Sequence, residues 1–439
     1  FPDPAGRTDR PARRAHPRGA RPVTANVAKS PNLADVFLAG NKGRGTALLC
    51  AALALLILFA VFASRARSAE PYTLVEDIAY APANEQEGSN LLDIYRPRAD
   101  SSRRRPVFVW IHGGGWFSGD KRNVNIAPKA RALVRAGFVF VSINYRLSPD
   151  LDGPLAFSRD RLRYPTHVKD AARALGWIDR HIAAYGGSPN RLVIGGDSAG
   201  GQISSLLATR PAFLRARGVE TTQIKGVLSL DAVGFNVRRM MTPAYKRISA
   251  GFQRMMWNAF GTPAEERETP RWDSASPIRF ADPTDPPIFH VVPTSSPDRW
   301  AEARRMAKRL GQWFPVVSWR VDTNHPGVVP LLGAEDDMGV TARAIRFVKA
   351  AVSRERAVPV IRGRRTVKAR GKAKAATVRL TIGSRPSARQ VTCRIDSGRE
   401  RVCPRSFNLR VGRHTLRVTA YGDTGSPIGS RSAIIRVRG

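Results

Sequence analysis

With 439 residues, 42% of them hydrophobic and 24% charged, the chain has the make-up of ordinary globular material and is long enough for one large domain with accessories. Lys and Arg (72) outnumber Asp and Glu (35), and the net charge of +37 draws the chain toward anionic surfaces, whether lipid headgroups, wall polymers or nucleic acid, without choosing among them. Its cysteines, Cys50, Cys393 and Cys403, form no CxxC pair and no Cys/His cluster with metal spacing, which argues against zinc chemistry.

Residues 1–45 are rich in Pro, Arg, Ala and Gly without periodicity, as expected of a disordered basic tail. Thr46 to Ala63 then run for 18 residues without a charge, close to the ~20 that a spanning helix needs. The expectation is a retained membrane anchor. A cleaved signal segment is the competing reading, because small residues at Ser64, Ala66 and Ala69 offer processing sites. Nine Lys and Arg precede the run, while Arg65 and Arg67 follow it closely, so the tail is expected inside and the bulk of the chain outside the membrane.

Residues 72–353 alternate short β-branched runs with amphipathic stretches, which predicts an α/β fold: a mainly parallel sheet flanked by helices. Strands are expected at 91–95, 106–112, 138–145, 191–196, 224–230, 286–292 and 315–321, with helices over His167 to Tyr185 and Asp298 to Leu310. Residues 235–280, rich in Met, Arg and aromatics, suggest a cap inserted over a site. Residues 354–376 collapse to Arg, Lys, Ala, Gly and Val, as a charged linker would. Beyond them, short alternating strands with Gly, Ser and Asp turns predict a small β-sandwich over 377–439. Cys393 and Cys403, ten apart in two of these strands, can close a disulfide, which points to an oxidising, extracytoplasmic setting.

Chemistry concentrates in Gly196-Asp197-Ser198-Ala199-Gly200, placed between a strand and a helical stretch. Glycines on either side permit a strained turn that lifts the Ser198 hydroxyl clear of the backbone, and the helix N-terminus behind it favours negative charge. The bland alternative is a tight turn whose serine caps the helix. Upstream, His112-Gly113-Gly114-Gly115-Trp116 ends a strand with residues that let backbone N–H groups approach an oxyanion. Gly114, Gly115 and Ala199 are the expected donors, and His112 is expected to brace the loop rather than react.

HGGGW followed by Gly119-Asp120-Lys121, then Asn144 to Pro149 (NYRLSP), then Gly195 to Gly201 (GGDSAGG) resembles the carboxylesterase and hormone-sensitive-lipase-like branch of the α/β-hydrolases, over residues 72–353. The resemblance implies an enzyme without a cofactor that cleaves short acyl or aryl esters, sometimes acetyl or feruloyl groups on polysaccharide. It also implies a late histidine as general base. His325, after the last strand and before the helical stretch 339–352, fits that place, whereas His167 and His181 share an amphipathic helix and His290 lies in a strand, where a satisfied core histidine is the plainer reading.

The acid departs from the pattern. After the strand 286–292 the family carries a His-Gly-x-x-Asp-like turn, but this chain reads Pro293-Thr294-Ser295-Ser296-Pro297-Asp298. Asp298 is expected as the third member of the triad, with Asp231 and Asp322 in reserve, although Asp298 would equally cap the helix that follows it.

The C-terminal segment resembles the immunoglobulin-like modules with one short disulfide found in bacterial surface proteins, and residues 362–439 carry 20 Lys and Arg against three acids. Anionic wall or membrane polymers are therefore expected partners. A specific nucleic-acid partner is not expected, since aromatics are scarce and no recognition motif is seen. The expectation as a whole is a membrane-displayed serine esterase for small esters, the alternative being a catalytically weak hydrolase-fold binding or adhesion protein.

Overall fold

The computed structural model describes residues 70–99, 101–123, 125–242, 249–353, 358–363, 365–369, 374–385 and 388–438. The expected tail (1–45) and membrane anchor (46–63) lie outside the described residues. Among the described residues no helix is long and apolar enough to cross a membrane.

An eight-stranded sheet organises the larger part. Its strands are β1 (Tyr72–Ala79), β2 (Leu91–Pro97), β3 (Arg105–Ile111), β4 (Val139–Ile143), β5 (Gly187–Asp197), β6 (Ile224–Leu230), β7 (Ile288–Pro293) and β8 (Ser318–Val321). They stand in the order β1-β2-β4-β3-β5-β6-β7-β8, with β1/β2 and β2/β4 antiparallel and every other neighbour parallel. Strands β3, β4, β6 and β7, and the RLVIGG half of β5, are mostly apolar because helices cover both faces and leave no solvent side to fill with polar residues.

The principal helices are α1 (Ile126–Arg135), α2 (Thr166–His181), α3 (Ser198–Thr209), α4 (Ala250–Phe260), α5 (Pro297–Arg309) and α6 (Val340–Val352). Two cores result. One joins the sheet to α2, α3 and the 235–280 segment; the other joins the opposite face to α1 and α6. The C-terminal ends of the parallel strands deliver their loops to one edge, where open α/β sheets place their ligands. The 235–280 segment enters between β6 and β7 as helices Val237–Met240, α4 and Pro263–Glu268.

The C-terminal module is a five-stranded sheet, in the order β10 (Thr366–Lys368), β17 (Pro427–Arg438), β16 (Gly412–Tyr421), β13 (Gln390–Ile395), β14 (Arg401–Val402). Two pairs complete it: β11 (Ala375–Arg379) with β15 (Ser406–Arg410), and β9 (Val358–Arg362) with β12 (Thr381–Arg385). Here the linker expectation for 354–376 is corrected. Residues Val358–Arg362 and Thr366–Lys368 are strands, because alternation inside the basic stretch buries Ile361 in the module's core while the cations face out. Cys393 and Cys403 are disulfide-bonded, with Cα atoms 4.8 Å apart. The turn between β16 and β17 docks on the segment before β8: Trp313 N–H donates to Gly425 O at 2.7 Å, Gln312 Nε2 to Thr424 O at 2.7 Å, and the Trp313 and Tyr421 rings meet at 5.8 Å.

His290, in the middle of β7, is fully buried against Phe235 and Phe314, and neither ring nitrogen has a hydrogen-bond partner among the described residues. It is a core residue, but an unsatisfied one. Burial pushes its pKa down from 6.5 to about 3, so it folds neutral. A depressed folded pKa gives stability that is whole above pH 6.5 and lost as the pH falls. His290→Leu should therefore shrink the drop in unfolding free energy between pH 7 and pH 4.5 by about 2–3 kcal/mol, read from urea titrations at both pH values; an unchanged drop would mean that the histidine is protonated in the folded state.

Candidate active site

The nucleophile candidate sits where β5 gives way to α3. Ser198 adopts φ +48°, a left-handed backbone that a non-glycine residue keeps only when its surroundings hold it there. Those surroundings are the end of β3. A Cβ on Gly200 would lie 1.9 Å from Ile111 O, and one on Gly196 2.3 Å from the same atom, so glycine on both sides lets the turn press against the neighbouring strand.

His325 opens the short helix His325–Val328 beyond β8, a turn fixed by Asn324, whose Oδ1 accepts from Gly327 N–H at 3.0 Å. Its Nε2 lies 3.0 Å from Ser198 Oγ, and its Nδ1 lies 2.7 Å from Asp231 Oδ2. These partners set the tautomer: Nδ1–H donates to the carboxylate, leaving Nε2 to accept the serine proton.

The carboxylate that meets His325 is thus Asp231, not the expected Asp298. Asp231 is the first residue past β6, which lies beside the nucleophile's strand, and it is 1% exposed with φ +46° and its N–H bound to Val291 O. Asp298 is drawn off into the first turn of α5, where the helix dipole favours a carboxylate. Asp322 is engaged elsewhere, its Oδ1 accepting from Thr294 Oγ1 at 2.8 Å.

One residue here has no sequence signal. Arg299, which reads as part of an amphipathic surface helix, turns its Nη1 to 2.5 Å from Asp231 Oδ2; the same atom lies 2.6 Å from His325 Nδ1, a close approach of two donors that share the carboxylate and not a hydrogen bond between them. A charge-assisted guanidinium bond offsets part of the cost of burying Asp231, whose other oxygen has no partner among the described residues.

The HGGGW loop is held from several sides. His112 is fully buried, its Nδ1–H donates to Gly113 O at 2.8 Å, and its ring stacks on Tyr145 at 4.4 Å. Burial pushes its pKa down to about 4, which suits a neutral brace. Tyr145 Oη donates to His112 O at 3.0 Å. The rest of the NYRLSP stretch does similar work: Asn144 Oδ1 accepts from Lys121 N–H at 2.6 Å, Arg146 pairs with Asp170 at 2.7 Å, and Ser148 meets His167 Nε2 at 3.0 Å. Asp197, the variable residue of GxSxG, ties loop to elbow by accepting from Gly113 N–H at 3.2 Å. Sequence reasoning missed that role.

Gly114 and Gly115 take φ +95° and +59°, and a Cβ on Gly115 would lie 2.6 Å from Met255 Sδ of α4. The cap helix therefore lies directly over the loop, and Phe260 packs edge-on against Trp116 at 4.7 Å. Ala199 N–H, in the first turn of α3, has no carbonyl four residues back to bind, which leaves it free for an anion. A cavity of about 230 Å³, lined by Met240, Ser249, Phe252 and residues 295–299, shares Arg299 with the acid–base pair.

A strained serine between β5 and α3, a histidine after β8 and glycine-rich loops at the same sheet edge define an α/β-hydrolase. Residues 92–297 match the BD-FAE family model, a span that contains Ser198 and Asp231 and stops short of His325. The chain is 40% identical over 136 residues to the probable carboxylic ester hydrolase LipM of Mycobacterium tuberculosis, covering 31% of this chain and 28% of LipM. It is 38% identical over 133 residues to esterase LipQ of the same organism, covering 30% of this chain and 28% of LipQ. The alignments thus span under a third of these relatives' lengths. Among solved structures, a truncated carbohydrate esterase from gut microbiota superposes with a TM-score of 0.50 at 18% identity, covering 65% of this chain and 98% of that one; the likeness is one of fold. Over residues 92–297 the chain is thus similar to the α/β-hydrolase carboxylesterases.

The two candidate acids are separable by labelling Ser198 with a fluorophosphonate. Asp231→Asn should slow labelling by ~10³-fold or more, since the histidine loses its orienting carboxylate, whereas Asp298→Asn should stay within about threefold of wild type. The reverse pattern would return the role to Asp298.

Proposed function

We propose that this protein is a serine carboxylic-ester hydrolase that works through an acyl-enzyme on small acyl or aryl esters. The observation that carries the reading is the line from Ser198 Oγ to His325 Nε2 (3.0 Å) and from His325 Nδ1 to Asp231 (2.7 Å). As Oγ attacks the ester carbonyl, its proton passes to Nε2, and the imidazolium that forms is steadied by Asp231. The carbonyl oxygen takes up negative charge facing the N–H groups of Gly114, Gly115 and Ala199. The tetrahedral intermediate collapses, Nε2 returns the proton to the departing alkoxide, and the acyl group stays on Ser198. Water then repeats the sequence: Nε2 takes its proton as the oxygen adds to the acyl carbon, and the intermediate collapses with Nε2 returning the proton to Ser198 Oγ as the carboxylic acid departs.

The names of the M. tuberculosis relatives, a carboxylic ester hydrolase and an esterase, support the reaction class, and they favour it over a catalytically weak adhesion protein. Display outside the membrane, anchored through residues 46–63, rests on the 18-residue uncharged run and the basic residues before it.

Wild-type protein should hydrolyse 4-nitrophenyl acetate and butyrate, and Ser198→Ala and His325→Ala should each lose more than ~10⁴-fold in kcat/KM while binding is retained. Turnover that survives Ser198→Ala would refute the mechanism. For display, protease added to intact cells should degrade the hydrolase part, and N-terminal sequencing of the mature protein should not begin after residue 64.

A further inference from the structure

The outer face of the five-stranded C-terminal sheet carries charge in an arrangement that strand pairing alone does not favour. In β16, Leu416 and Val418 point into the module's core with Ile435 and Val437 of β17, so Arg413 and Arg417 point out. By the same alternation Arg394, Arg436, Arg438 and Lys368 share that exposed face. The register sets them directly opposite one another: Lys368 faces Arg438, Arg413 faces Arg436, and Arg417 faces Arg394.

Like charges directly opposite on neighbouring strands destabilise a sheet, and here three successive strand junctions carry such a pair. Among the described residues no acid pairs with them. Among the described residues none of the six cations forms an ion pair, while the module's three acids are engaged elsewhere: Asp396 with His414, Glu400 with Thr392 and Tyr421, and Asp423 with Arg389. The six lie on a diagonal that crosses three strand junctions and six residues of rise, ~25 Å end to end at ordinary sheet spacings. Hydroxyls of Thr366, Thr415, Ser430 and Ser432 share the face with the guanidinium groups.

We infer that this face binds an extended acidic polysaccharide, with the cations pairing to its acid groups and the hydroxyls meeting its sugar hydroxyls. Arginine suits such pairing because its planar fork holds a carboxylate or sulfate through two bonds. The surroundings weigh against other polyanions. Exposed aromatic rings to stack single-stranded bases are absent from the stripe, Tyr421 being buried at its end, and among the described residues of the module no helix or protruding ribbon stands ready for a duplex groove. Ile434, half-buried, is the one apolar side chain among the exposed strand positions between Arg436 and Ser430, too little to enter a lipid surface. The inference does not rest on ester hydrolysis, and it gives the basic module a task separate from the catalytic edge.

The test uses the full chain and a linear polyuronate as probe, with a neutral polysaccharide, a single-stranded oligonucleotide and anionic lipid vesicles beside it at matched charge. The triple variant Arg413→Thr, Arg417→Thr, Arg436→Thr should bind polyuronate at least ~10-fold more weakly than wild type. It should melt no lower than wild type, because the opposed charges are gone, and should hydrolyse 4-nitrophenyl acetate unchanged. Wild-type binding should fall steeply with added salt. Control substitutions of exposed arginines on the hydrolase surface (Arg103→Thr, Arg180→Thr, Arg215→Thr) should bind within about twofold of wild type. Equal loss in the control would reduce the effect to net charge and overturn the inference. So would undiminished binding by the first variant, or tighter binding of oligonucleotide or vesicles than of polyuronate.

Discussion

A single buried carboxylate oxygen, Asp231 Oδ2, is the point on which the site depends. It takes the Nδ1–H of His325 at 2.7 Å and the guanidinium of Arg299 at 2.5 Å, and through the histidine it sets the lone pair that faces Ser198. A carboxylate 1% exposed carries a heavy desolvation cost that such partners offset. Its position follows from topology. Strands β5 and β6 are parallel neighbours, so the residue after β6 emerges beside the residue after β5, and the left-handed turns at Ser198 and Asp231 aim both toward the loop after β8.

Much of this is legible in the sequence, for physical reasons that differ by element. Strands β2 to β8 are apolar β-branched runs bounded by turn residues, whereas β1 escapes notice because YTLVEDIA lies at the sheet edge and exposes most of its side chains. Ser198 and the HGGGW loop are marked by glycines that the backbone cannot do without. His325 is marked by its place after the last strand. The acid was not fixed by the same logic, because a carboxylate carries no local backbone signature, and the choice between Asp298 and Asp231 is made by which strand end lies near the imidazole. Arg299 is illegible for a related reason: its role arises from the rotation of α5, not from the residues around it. In the C-terminal module, counting charge over 354–376 hides the short alternation that buries Ile361 and makes β9 a strand.

Cap, oxyanion loop and elbow form one packed unit. Met255 and Phe260 of α4 press on Gly115 and Trp116, Asp197 binds Gly113 to the nucleophile turn, and His112 stacks beneath on Tyr145. Donors fixed in this way need little reorganisation as charge develops, which is where preorganised backbone contributes to rate. The C-terminal module touches the hydrolase part at the β16–β17 turn, through Trp313 and Gln312, and leaves its basic sheet face outward. The candidate site thus lies at the edge of the eight-stranded sheet, and the opposed cations on the module's exposed face are the ground for the anionic partner proposed above.

The central claim, that Ser198 forms a covalent acyl intermediate, is tested most directly by mixing the protein with a slowly turned-over aryl ester, quenching in acid and measuring the intact and peptide masses. The account predicts a burst of the aryl alcohol, with the protein gaining one acyl group, located on the peptide that contains Ser198. Product release without any mass gain, or an acyl group on another residue, would contradict it.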